Sequence, residues 1–407
     1  MKRIEPFSFF VPTRIEYGAG KASQLSDEVK KLNSKRPIIV TGKTTVKSEL
    51  VNKIKEQFKA NNIKLDIFSE VESNPRDTTV NKLADLAKQQ GNDLMIAVGG
   101  GSSMDTAKCA GMLVTNGRGI HDYIEDYELK DIKKQALPLI TIPTTAGTGS
   151  EISFWAVVTD TREAKHMKRC VGSKLICPTV ALVDPLATVS MPPRLTAYTG
   201  LDALSHAIEG YVCLVAEPIT DALALSAIKL IADNLTAAVA NGDNIEARDH
   251  MLLGNLMAGI VVGNADCGVI HCLGHAIGGL YDVHHGLAMG IFFPYGMEYN
   301  LVACPEKFVD IAKAMGENVS ELSLMEAARK SIEAVVNLLR MLRIPTLKGV
   351  GAKVQDFKKL AEMAMADLTC EANPRKMTVE DMEEILKDAY QDKFRIAGDS
   401  YKGRSLG

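Results

Sequence analysis

The sequence has almost no net charge. Its 407 residues include 47 lysines and arginines against 50 aspartates and glutamates, a net of −3 with histidine neutral. That balance argues against a dedicated nucleic-acid binder and against a binder of anionic membranes. Disorder is excluded by composition, since 46 % of residues are apolar and 24 % charged, as in an ordinary folded chain. The charged start, MKRIEP, is followed by no apolar stretch of secretory length, so no signal peptide is expected. The longest uncharged runs lie between Met251 and Tyr281, and Asp266 divides them. They are full of Gly, Asn, Cys and His, so they predict buried helices rather than membrane spans. The eight cysteines form no C-x-x-C pair and read as reduced thiols of a cytoplasmic protein. There is no internal repeat and no low-complexity segment.

What is present is a change of pattern partway along the chain. Short apolar runs at 37–41 (PIIVT), 64–68 (KLDIF), 94–98 (LMIAV) and 137–142 (LPLITI) read as strands. Residues 46–61, 78–90 and 103–114 read as helices between them. Such alternation predicts a parallel sheet covered by helices on both faces. Two more strand-like runs follow at 155–159 and 179–184. Beyond residue 190 strand signals nearly vanish. Helical patterns take over at 202–213, 219–240, 248–262, 305–314, 324–342, 354–365 and 379–389, several with start signals such as Thr378 before Glu380 and Asp381. The expected organisation is an α/β domain over 1–190 and an all-α domain over 191–407, with a loose basic tail at 395–407.

Two loops carry a first chemical signal. GGGSSMDTAK at 99–108 follows a strand and opens a helix. Glycines let the backbone approach a bound group, and the unpaired N–H groups of a helix start favour an anion, most often a phosphate. The pattern is not G-x-G-x-x-G, and it sits after the third strand; the plain alternative is a tight turn capped by Ser102 or Ser103. Asp105 is expected to favour the helix start electrostatically. PTTAGTGSE at 143–151 is a hydroxyl-rich loop after another strand, at the sheet edge where open α/β folds bind ligands.

The histidines carry the second signal. Four of the eight, His271, His275, His284 and His285, fall within residues 269–286 of an otherwise apolar segment. Buried imidazoles must find partners, and four so close together point to a metal site. Asp202 and His206 are four residues apart, so on a helix they share one face. His271 and His275 repeat that spacing on a helix that Gly278 and Gly279 should end, placing His284 and His285 in the next loop. One carboxylate with imidazoles suits Fe²⁺ or Zn²⁺ and leaves a position open for a substrate oxygen. Cys267 and Cys272 flank the cluster and are read as core packing.

These motifs resemble the iron-containing (group III) alcohol dehydrogenases over nearly the whole chain. FVPTRIEYGAG at 10–20 is similar to that family's first hairpin. GGGSSMDTAK resembles its pyrophosphate loop and PTTAGTGSE its nicotinamide-side loop. TGLDALSHAIEGY at 199–211 and HCLGHAIGGLYDVHHG at 271–286 resemble its two metal signatures. The resemblance implies a Rossmann-like dinucleotide-binding domain, a helical metal-binding domain of dehydroquinate-synthase-like architecture, and an active site in the cleft between them. It implies Asp202, His206, His271 and His285 as metal ligands, with His275 beside the metal shaping the site or relaying a proton. It implies cofactor contacts from Gly100, Gly101, Ser102, Thr144 and Thr145, from Asn74, and from Lys168 toward the cofactor's phosphate or ribose. The expected activity is reversible hydride transfer between a small primary or secondary alcohol and NAD or NADP. A homodimer or larger homo-oligomer is expected, in which the first hairpin pairs across subunits.

Two departures bear on specificity. Many family members carry Asp after the first strand, where it reads the ribose 2′-hydroxyl of NAD. Here Gly42 and Lys43 stand there, which removes repulsion against a 2′-phosphate and adds a cation. The plain alternative is that Gly42 makes a tight turn and NAD still binds. Val262 replaces a common Phe, which would widen the pocket unless neighbours refill it. Competing readings are a glycerol-dehydrogenase-like zinc enzyme, a dehydroquinate-synthase-like lyase, and a non-catalytic nucleotide or metal sensor. The lyase should bring a basic cluster near the histidines, which is not found; the intact ligand set opposes the sensor.

Overall fold

The computed structural model describes residues 6–124, 131–162 and 167–394. The start at 1–5, His166 and the basic tail at 395–407 lie outside the described residues. By internal contacts, residues 11–191 form one compact unit, and residues 192–394 together with 6–10 form the other. Phe10 joins the second unit through hydrogen bonds with the Asn264 side chain.

The first unit is built on strands β1 (Arg14–Tyr17), β2 (Pro37–Gly42), β3 (Asp66–Val71), β4 (Leu94–Gly99), β5 (Leu139–Pro143), β6 (Trp155–Asp160), β7 (Met167–Gly172) and β8 (Val180–Val183). Its helices are α1 (Leu25–Lys31), α2 (Glu49–Ala60), α3 (Asp77–Gln90), α4 (Gly101–Asn116) and α5 (His121–Ile124). Six strands pair in the order β1-β8-β5-β4-β2-β3, every neighbour parallel. Near-continuous apolar strands of this kind are buried on both faces. Ile39, Leu94, Ile96 and Val98 pack toward Leu25, Val51, Ile54 and Phe58 of α1 and α2. Their neighbours Ile38, Val40, Met95 and Ala97 point the other way, toward Val80, Leu83, Met104 and Leu113 of α3 and α4. That is the period-two alternation of strands applied to a sheet with two cores.

Two elements differ from expectation. The stretch at 10–20 forms no hairpin among the described residues: β1 is one short edge strand, parallel to β8. Residues 167–172 form β7, antiparallel to β6. Its basic sequence, MKRCVG, gives little apolar signal, so pairing with β6 decides its conformation.

The second unit is helical: α6 (Pro193–Val212), α7 (Pro218–Ala240), α8 (Ile245–Asn264), α9 (Val269–Tyr281), α10 (His285–Leu301), α11 (Pro305–Ala314), α12 (Leu324–Met341), α13 (Phe357–Met365) and α14 (Val379–Gln391). Capping boxes start α7, α12 and α14, satisfying backbone donors of the first turn. Helix α6 begins well before Asp202, with Pro193 in its first turn, where proline's missing donor costs nothing. Helix α9 runs through Gly278 and Gly279 to Tyr281, and Asp282 in the left-handed region closes it. Helix α10 carries no sequence signature because residues 286–298 are buried all round, which erases the amphipathic period, and Pro294 lies inside it. Helix α7 is long and apolar enough to cross a bilayer; here Ala224, Ala227, Ile228, Ile231 and Leu235 pack inside the unit.

Candidate functional site

In the helical unit, glycines stand where α6, α9 and α10 pack against one another. A Cβ on Gly286 would lie 2.1 Å from the Tyr198 carbonyl oxygen of α6. A Cβ on Gly274 would lie 1.8 Å from Met289 Cε of α10. The missing methyl on Gly286 lets the α10 and α6 main chains meet at one end of α10, where His285 is the first helical residue and His284 the N-cap, while Gly274 leaves space that the Met289 side chain fills.

The convergence gathers one group of donors. Ligand atoms of Asp202, His206, His271 and His285 all lie within 4.8 Å of one another. His285 Nε2 is 3.2 Å and His271 Nε2 4.0 Å from Asp202 Oδ1. The His206 and His271 rings stack at 4.7 Å between centroids. Asp202 is 2 % exposed, and its Oδ1 makes no hydrogen bond. A buried carboxylate oxygen facing imidazoles without a proton donor is costly unless a cation sits among them. The donor set and its spacing therefore fit one divalent first-row metal.

Carboxylates behind the rings fix their orientation. Glu209, one turn beyond His206 on α6, accepts from His271 Nδ1 at 2.5 Å and from the Ile270 N–H at 2.8 Å. That leaves His271 Nε2 as the lone-pair nitrogen facing Asp202. Burial pushes the Glu209 carboxyl up to about 8 despite the backbone N–H groups around it; a cation across the ring would favour the charged form. His275 Nδ1 lies 2.6 Å from Asp367 Oδ2, and the ring stacks on His285 at 5.2 Å. Burial disfavours the Asp367 charge, but the His275 imidazole and Thr369 outweigh it and hold this carboxyl well below its usual range.

The sequence reading missed both carboxylates. Glu209 had a signal, since Asp202, His206 and Glu209 continue one helical stripe. Asp367, 92 residues from His275, had none. His284 is exposed and its ring lies against Tyr198 at 5.4 Å. Cys267 and Cys272 are buried, and Cys272 Sγ is 2.8 Å from Cys370 Sγ. Two further donor groups occur among the described residues. Glu209, Cys267 and His271 share the His271 ring with the first group. In Asp77, His121 and Asp160 the carboxylates already accept from Thr78, Thr161, His121 and Arg162.

Val262 lies half-buried on α8 of the helical unit, and the residues expected to contact the dinucleotide lie in the α/β unit. Because the six strands of its main sheet are parallel, their carboxyl ends share one edge. The chain leaves β2 for β3 on one side and returns to β4 on the other, so the crevice beyond β2 and β4 is a topological switch point, the usual ligand position in such sheets. Gly42 ends β2, Asn74 follows β3 with φ +55°, and Gly100, Gly101 and Ser102 open α4. The N-cap of α4 is Gly100, and neither Ser102 nor Ser103 caps it. Thr144 and Thr145 follow β5. Lys168 pairs across the β6–β7 ladder with Thr159, whose N–H donates to Pro75 O, so the ladder lies beside the Asn74 loop. Asp105 does not act at the helix start; it is buried and bonded to Ser150 Oγ and the Val157 N–H.

Comparison with known proteins covers both units. A family model described as iron-containing alcohol dehydrogenase matches residues 12–185, and one described as Fe-containing alcohol dehydrogenase family, C-terminal, matches residues 196–390. The NAD-dependent methanol dehydrogenase of Bacillus methanolicus is 39 % identical over 383 residues, covering 94 % of this chain and 99 % of that protein. The 1,3-propanediol dehydrogenase of Klebsiella pneumoniae is 38 % identical over 387 residues, with 94 % and 99 % covered. The solved alcohol dehydrogenase from Oenococcus oeni superposes with a TM-score of 0.90 at 39 % identity, over 95 % of this chain and 100 % of that one.

Proposed function

The chain belongs to the iron-containing alcohol dehydrogenase family and is an oxidoreductase of that class, and from this premise we propose that Asp202, His206, His271 and His285 hold one divalent cation at which a small alcohol is oxidised by a nicotinamide dinucleotide. The observation that carries this reading is the convergence of one carboxylate and three imidazoles from three helices within 4.8 Å. When bound, iron or zinc supplies Lewis acidity that eases loss of the hydroxyl proton in one direction and polarises the carbonyl in the other. Glu209 keeps the His271 ring turned toward the site. His275, held by Asp367, relays the hydroxyl proton. Gly100, Gly101 and Ser102 take the pyrophosphate at the uncapped start of α4, with Thr144, Thr145, Asn74 and Lys168 as further dinucleotide contacts. The names of the relatives support the substrate class, alcohols of one to a few carbons, and NAD as a cofactor. The reading also includes self-association, for which β1 offers an edge of the sheet, and a cytoplasmic setting, for which the support is eight cysteines that form no disulfide.

The test is nicotinamide absorbance with a panel of alcohols before and after chelation. Chelator-treated protein is expected to lose turnover and to regain it when Fe²⁺ or Zn²⁺ is returned. Full-speed turnover by verified metal-free protein would remove the reading.

Cofactor choice turns on the end of β2. A Cβ on Gly42 would lie 3.2 Å from Val71 O, which suits glycine and leaves little room for a carboxylate. Lys43 follows and is exposed. We therefore expect NADP to be used at least as well as NAD. Lys43→Ala should cost about tenfold in kcat/KM with NADP, the worth of one charged hydrogen bond, and little with NAD. A strong NAD preference in the unmodified chain would refute this.

A further inference from the structure

One fully buried cation in the α/β unit takes no part in the chemistry above. Lys108 lies on α4, two turns after Gly101, and is 1 % exposed. Its ammonium donates to Ser150 Oγ at 2.8 Å and Trp155 O at 2.8 Å, with Ser153 Oγ at 3.4 Å. Ser150 Oγ in turn donates to Asp105 Oδ1 at 2.6 Å, and the Val157 N–H donates to Asp105 Oδ2 at 3.0 Å. An ammonium has three donors and no acceptor, so burial is tolerable only when each donor finds an oxygen. Burial pulls the Lys108 pKa down and pushes that of Asp105 up, and each charge opposes the shift of the other.

The partners come from three places. Asp105 and Lys108 belong to α4, Ser150 to the loop after β5, and Trp155 and Val157 to β6. The loop is pinned at its other end as well, where the Thr144 N–H donates to Gly99 O at 2.9 Å. Between those ends it lies flat on the start of α4. A Cβ on Gly101 would come within 2.8 Å of Thr148, and one on Gly100 within 3.1 Å of Thr145 Oγ1. The glycine turn and the threonine loop thus form one body with a charged pin beneath it.

We propose that Lys108, acting with Asp105 through Ser150, is a positioning residue that locks the 99–102 turn and the 143–151 loop into one preformed dinucleotide cradle. This rests on the reading of those two loops as the cofactor site. Nothing in the network needs to touch the dinucleotide. Its effect is to hold the N–H groups at the α4 start and the Thr144 and Thr145 hydroxyls in a fixed relation before binding, so that little ordering is left to be done on association. The consequence falls on dinucleotide affinity, whereas the hydride step at saturating cofactor is left nearly unchanged.

The test uses the metal-loaded, full-length enzyme with three variants: Ser150→Ala, Lys108→Met and, as a control, Leu113→Ala, a core truncation farther along α4. Dissociation constants for NAD and NADP come from isothermal titration calorimetry, and KM, kcat, cation content and melting temperature are measured alongside. Ser150→Ala is expected to raise the dinucleotide Kd and KM about tenfold, the worth of a hydrogen bond to a charged group, with kcat at saturation and cation content nearly unchanged. Lys108→Met is expected to act in the same direction and more strongly. Leu113→Ala should lower the melting temperature without moving KM. If Lys108→Met does not fold, Ser150→Ala decides alone, since it removes one hydroxyl and buries no new group. An unmodified enzyme that binds neither dinucleotide sinks the reading of the loops. An unmodified enzyme that binds one, together with variants of unchanged Kd or with a kcat loss at unchanged Kd, sinks the role of Lys108 while leaving that reading intact.

Discussion

Replacing His271 by alanine is expected to remove the cation and the activity together. The ring is buried, with a carboxylate on each of its nitrogen sides. It is 3 % exposed, faces Asp202 with Nε2 and is anchored through Nδ1 on Glu209. Removing it takes away one of three imidazoles and leaves the buried Glu209 carboxylate without its ring partner. Lewis acidity is worth several kcal/mol of barrier, so turnover should fall by about 10³-fold or more. Elemental analysis should show the cation lost in parallel, and circular dichroism should show whether the helices persist. A variant that keeps both its cation and its turnover would remove His271 from the ligand set.

His275→Ala is expected to separate the two properties that His271→Ala removes together. His275 lies against the His285 ring but falls outside the four-donor group. Its imidazole is turned by Asp367, which is itself fixed by the Thr369 N–H and hydroxyl. The variant should therefore retain its cation, because all four donors remain. Its kcat should fall by about 10²-fold, the usual worth of a positioned acid–base group. Complete loss of metal would make His275 a ligand, and unchanged kcat would end its role in moving a proton.

These contrasts mark how far the amino-acid sequence could be read. The strand runs 37–41 and 94–98 were legible because a doubly covered sheet demands unbroken apolar residues, and chain order revealed the α/β half before the helical half. The pair Asp202 and His206 was legible because helical spacing puts both on one face, and the cluster at 269–286 because imidazoles are rare in apolar runs; spacing alone pairs His271 with His275, and it is the family resemblance that puts His285 in the proposed ligand set. Where contacts are long-range the reading failed. Asp105 reads as a helix-start charge in sequence because its partners, Ser150 and Val157, lie 45 and 52 residues away. Asp367 was invisible for the same reason. Helix α10 is illegible because burial on every side removes the periodic contrast by which a helix is found, and the hairpin expected at 10–20 rests on the family resemblance, since the four residues of β1 carry too little pattern of their own.

The contact between Gly286 and Tyr198 makes the centre vulnerable at a position that supplies no donor. One hydrogen atom stands where any other amino acid would place carbon against a carbonyl oxygen, and that carbonyl belongs to the same helix as Asp202 and His206. Main chain cannot swing aside as a flexible side chain can, so larger residues there would wedge His285 away from its companions. An inventory of chelating side chains would pronounce such a chain competent. Whether the α6 and α10 main chains can touch is the criterion it would overlook.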